Sequence, residues 1–234
     1  MRLIPLVLMI LSGPAFGGDN QIAKATVGVY AEYVQPLSAK VRTGMQREVN
    51  SILSPLGFDI QWRDAAAGGN EVWADLALIQ FQGDCNPQNK VYSLFSPGPL
   101  GWTRITDGII QPFAFIDCDR IGAMIQSVSV HADERLFARA AGRVVAHELY
   151  HIFVRTSHHG GSGVGKQEFT TRDLLSDHFT FQPVQARALR IRSERRSNSV
   201  LRPAIAPRSS AARHYGAGAE PASGLYFGLA GFSG

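Results

Sequence analysis

Residues 133–154 read DERLFARAAGRVVAHELYHIFV, and this stretch decides the reading of the whole chain. Asp133 is a natural helix cap, because its short carboxylate can accept the first free backbone N–H groups, and Glu134 sits well in the first turn. From Arg135 to Val154 there is no proline, and Gly142 is the one glycine. Leu136, Ala140, Val144 and His147 recur along one side, with Phe137, Ala141, Val145 and Leu149 beside them. Apolar residues on so much of the circumference predict a helix that is largely buried.

Inside that helix stand His147-Glu148-Leu149-Tyr150-His151, an H-E-x-x-H pattern. Positions i and i+4 lie one turn apart on the same helix face, so two imidazoles can reach one metal ion. Glu148 then sits at the edge of that face, where it can act as base toward an attacking water without being a ligand. Two histidines and a glutamate buried in an apolar helix are costly unless satisfied, and one divalent cation would satisfy all three. The expected cofactor is Zn2+, one per chain, and the expected chemistry is hydrolysis of an amide or ester.

A catalytic zinc takes three protein ligands and keeps an open position. The remaining histidines are His131, His158, His159, His178 and His214. His159 is the favoured third ligand and His158 the next. Both follow the helix closely enough for the chain to turn back, and Gly160, Gly161 and Gly163 ease that turn. Asp173 and Asp177 are the carboxylate alternatives, with Glu168 behind them. His131, His178 and His214 read as ordinary structural or surface residues, Tyr150 as core, and Trp102 as a packing residue buried in a hairpin, with the lining of a substrate cleft as its alternative.

Working outward, 25–34 reads as a strand, and Ser38 as the cap of a helix through Val41, Met45, Val49 and Ile52. Phe58–Trp62 and 74–81 read as further strands. Residues 102–116 form a hairpin turning at Asp107-Gly108, a pair suited to two successive positive-φ positions. Pro112 cannot donate to a ladder, so the second arm is either an edge strand or bulged. The expected fold is α+β: a mixed, twisted sheet with an edge hairpin, packed on two main helices, the second carrying H-E-x-x-H.

The ends differ from this body. Arg2, the apolar run from Leu3 to Leu11 and the small residues around Gly17 have the layout of a secretory signal over 1–17, too short to span a bilayer. The catalytic domain is expected over 18–182. Residues 183–234 are expected to be a basic, Ala/Gly/Ser-rich tail, helical at first and then disordered. The formal charge of +4 is concentrated there, with eight arginines against one acid between 187 and 213. That composition is read as solvated and not as a nucleic-acid-binding surface. The chain has two cysteines, Cys85 and Cys118, which an oxidising compartment would join.

The motif with Thr156, His159 and Ser162-Gly163-Val164 resembles small secreted bacterial zincin-like proteins. Gly101-Trp102-Thr103, Asp107-Gly108 and Asp117-Cys118-Asp119 belong to the same resemblance. It implies a metzincin-like zinc peptidase fold with Glu148 as base and a polypeptide or peptide substrate. Metzincins proper read H-E-x-x-H-x-x-G-x-x-H. This chain has Val154 at the glycine position, Ser157 at the third-histidine position, and no methionine after His151. An exported binding or adhesion module that keeps the metal without turnover, and an amidase of cell-wall peptides, are the alternative functions.

Overall fold

The computed structural model describes residues 24–87, 98–127 and 133–201. The expected signal segment, His131, His214 and the chain beyond Leu201 lie outside the described residues.

Five strands form one mixed sheet in the order β2-β1-β3-β5-β4. They are β1 (Ala25–Tyr33), β2 (Phe58–Asp64), β3 (Leu76–Gln82), β4 (Gly101–Thr106) and β5 (Ile109–Asp117). β1, β2, β3 and β5 run parallel, and β4 pairs antiparallel to β5 at the edge. The helices are α1 (Ala39–Leu53), α2 (Cys118–Gln126), α3 (Glu134–Val154), α4 (Thr171–Leu175) and α5 (Pro183–Leu201). This is the expected α+β arrangement, with a mixed sheet, an edge hairpin and two main helices, α1 and α3.

Each capping expectation has a bond behind it. The Ser38 hydroxyl accepts from Val41 N, and the Asp133 carboxylate accepts from Arg135 N at 2.8 Å. Val27, Val29 and Ala31 of β1 alternate into a core shared with Met45, Val49, Phe137, Val145 and Phe153. α1 and α3 pack closely because glycines face their partner helix. A Cβ on Gly142 would lie 2.7 Å from Glu48 Cβ and 2.9 Å from the Met45 carbonyl oxygen. The hairpin turns at Asp107 (φ 51°) and Gly108 (φ 74°), the two positive angles that the pair predicts.

Pro112 resolves as a bulge and not as an edge. β5 lies between β3 and β4, and its register against β4 breaks between Thr103/Ile105. Pairing with β3 begins only at Phe113, so Pro112 owes no hydrogen bond to either neighbour in the ladder. α2 is an element that the apolar pattern did not predict. It starts where the Asp117 carboxylate accepts from Arg120 N at 3.0 Å. Cys85, just beyond β3, is bridged to Cys118, the first residue of α2.

The expected domain boundary after 182 needs correction. α5 packs into the same compact unit, with Leu189 fully buried and Gln185, Ser193 and Ser197 nearly so. The Ser193 hydroxyl donates to the Leu56 carbonyl at 3.0 Å. Its low apolar content hid this packing, because small polar residues fill the contact.

Candidate metal centre

α3 is buried along most of its length, and His147, Glu148 and His151 are each no more than 6% exposed. The helix ends at Arg155, a non-glycine residue in the left-handed conformation (φ 59°, ψ 50°). That residue reverses the chain, and the loop returns along the helix. Gly163 makes the return possible. It has φ 69°, and a Cβ there would collide with the Thr180 carbonyl oxygen.

The returning loop supplies carbonyls to the two helical histidines. His147 Nδ1 lies 2.7 Å from the Val164 carbonyl oxygen, and His151 Nδ1 lies 2.6 Å from that of Thr156. A carbonyl can only accept, so both Nδ1 atoms carry the proton and both Nε2 atoms present lone pairs. Those two Nε2 atoms are 3.0 Å apart in a buried site. Two acceptors cannot hydrogen-bond each other, so this pair fits a shared cation.

His159 completes the group. Its ring stacks on His147 at 5.2 Å and stands edge-on to His151 at 4.8 Å. One ligand atom from each of the three residues lies within 4.8 Å of the others, so the cluster can hold a metal ion. Burial, and then the neighbouring His151, hold the His147 imidazole down at about 3. Burial likewise lowers His151 and His159. Neutral imidazoles are the ligand form.

The remaining expectations sort by their partners. His158 turns away: its backbone N–H donates to Thr156 Oγ1 and its Nδ1 lies 3.2 Å from the same oxygen. Asp173 closes a capping box with Thr170 on α4 and pairs with Lys166. Asp177 is exposed and reaches Arg139 at 3.3 Å. Neither aspartate belongs to the histidine cluster. Tyr150 is buried core, with its hydroxyl 3.4 Å from the His158 carbonyl oxygen. Trp102 departs from its expected burial. It is 37% exposed, stacks on Phe115, and borders a cleft of about 850 Å³ that also reaches His147, Glu148 and His159.

No protein-family model matches this sequence, and no curated protein matches it. Among solved structures, the chain is similar to the crystal structure of archaemetzincin from Methanopyrus kandleri. The identity is 12%, over 74% of this chain and 97% of that one, with a TM-score of 0.44.

Three features of the site had no role in the sequence reading. Thr103 Oγ1 donates to Glu148 Oε2 at 2.7 Å. Gly101 leaves room first for Val144, whose Cγ1 would lie 2.7 Å from a Cβ there, and then for that carboxylate, with Glu148 Oε1 at 3.1 Å. Phe169 packs edge-on against the His147 ring at 5.3 Å and against Phe179 at 5.4 Å. Thr103 and Gly101 stood in the quoted Gly101-Trp102-Thr103 string, but spacing alone could not show what they face. Burial raises the Glu148 carboxyl to about 7, against the lowering effect of the Thr103 hydrogen bond.

Proposed function

We propose that this chain is a secreted zinc-dependent peptidase, with His147, His151 and His159 as the ligands of one Zn2+ and Glu148 as general base. The observation that carries the reading is the pair of buried Nε2 lone pairs 3.0 Å apart, with both Nδ1 atoms already committed to carbonyls. Three imidazoles suit zinc and leave a fourth position open. The ion, when bound, supplies Lewis acidity to a substrate carbonyl and to an attacking water.

The protein's own groups account for the rest. Glu148 is buried beside the histidines, where its carboxylate can take a proton from water and give it to a leaving amine. β4 is the sheet edge, and Gly101, Trp102, Thr103 and Ile105 line the cleft. An extended peptide can add to such an edge through main-chain hydrogen bonds. The Cys85–Cys118 bridge accords with export, and among the described residues no helix is long and apolar enough to cross a membrane.

The test is metal analysis joined to a peptide-library digest. About one zinc per chain and chelator-sensitive cleavage that Glu148→Gln abolishes would support the reading. Zinc without turnover would instead favour the binding module, and cleavage confined to cell-wall stem peptides the amidase. Cleavage undiminished in Glu148→Gln would remove Glu148 from the mechanism.

A further inference from the structure

Glu148 must present one carboxylate oxygen to the cleft, yet the terminal torsion of a glutamate is soft and sets no direction by itself. The direction comes from β4. Residues 101 and 103 lie on the same side of that strand, two positions apart, and both meet the carboxylate. Gly101 gives space near Oε1, and Thr103 Oγ1 donates to Oε2 at 2.7 Å. The Glu148 carbonyl oxygen is the farther acceptor for the same hydroxyl, at 3.4 Å. The strand is held in place here: Thr103 pairs with Ala114, and the register breaks immediately after it. Trp102, on the opposite side, is stacked on Phe115.

We propose that Thr103 is a positioning residue that holds the Glu148 carboxylate by one oxygen from the edge strand and leaves the other oxygen to face the reacting water. This rests on the peptidase reading above. It places the base under the control of the same strand along which a substrate would lie, so the base is aligned by the wall of the cleft and not by α3 alone.

Thr103→Val keeps the shape and removes the hydroxyl. Its kcat is expected to fall about tenfold to a hundredfold, a fraction of what a positioned base contributes, with KM and zinc content unchanged. Thr103→Ser is expected to restore most of the lost rate. A Thr103→Val enzyme with undiminished kcat, a loss carried by KM, or a Thr103→Ser as impaired as Thr103→Val would overturn the proposal. A second measurement needs no turnover. In metal-free protein, Thr103→Val is expected to lower the denaturation midpoint of the parent and to have little effect in a Glu148→Met background. An equal shift in both backgrounds would overturn the tether. If the parent hydrolyses nothing, the peptidase reading fails, and this unfolding comparison still decides whether Thr103 holds Glu148.

Discussion

Two imidazole lone pairs facing each other in a buried site, beside a buried carboxyl, make the metal-free protein sensitive to pH in opposing ways. His147 has a folded value near 3, below its ordinary 6.5, so its contribution to stability is present above 6.5 and is lost as pH falls toward 3. Glu148 is raised from 4.5 to about 7, so its contribution is present below 4.5 and is lost as pH rises through 7. Glu148→Gln removes the second effect only. In chelator-treated protein it is expected to stabilise relative to the parent more at pH 8 than at pH 5, by on the order of 3 kcal/mol. Urea unfolding at both pH values measures this, and a difference that does not grow with pH would contradict it. His159→Ala is expected to lose zinc, whereas His158→Ala keeps it, as elemental analysis of the purified variants would show. The helical trio was legible in the sequence because helix geometry converts i and i+4 directly into proximity. His159 over His158 was only a preference, since consecutive residues in a loop can face either way until Thr156 is seen to hold His158 outward. Thr103 was not legible as a partner, because the hydroxyl and the carboxylate are 45 residues apart.

The elements that build the site carry their own strains. Gly142→Ala would ordinarily favour a helix by about 1 kcal/mol. Here the added methyl would press on Glu48 and the Met45 carbonyl, so a net loss of roughly 1–2 kcal/mol is expected from overpacking. Arg155→Gly is expected to do the opposite, because a left-handed L-residue costs roughly 1–2 kcal/mol that glycine does not. Part of that gain is offset in the unfolded chain, so a rise of a few degrees in Tm is the expected reading. Long periodic elements were the legible ones: β1, α1 and α3 appear where pattern and cap agree. α2 was missed because it is 9 residues long and begins directly at the end of β5, with no intervening loop residues to announce it. The internal clamp on α3 was equally hidden. Arg143 is 2% exposed, yet it is matched by Glu48 at 2.8 Å and by the Ser176 carbonyl oxygen at 2.6 Å. A buried arginine reads as exposed until its partners are located.

Over the whole molecule, metal and disulfide act on different states. Zinc held by the three histidines would stabilise the folded chain by mass action, so a chelator is expected to lower Tm, and added zinc to restore it in a concentration-dependent way. The bridge acts mainly on the unfolded chain, and a sequence separation of 33 corresponds to about 3–4 kcal/mol on the chain-entropy account. The order of the strands with α1 and α3 was readable from sequence, while α2, α4 and the C-terminal limit of the body were not. α5 docks through Gln185, Ser193 and Ser197 as well as Leu189, and small polar contacts leave no hydrophobic period to detect. The bridge also has a topological consequence. Its two ends, Cys85 and Cys118, enclose β4, β5 and the whole strand-built wall of the cleft within one covalent ring. A single nick at any peptide bond in that ring leaves both fragments attached. A protein that meets proteases can therefore be cut there once without shedding the segment that carries Thr103. Such a molecule would run as one band without reductant and as two with it.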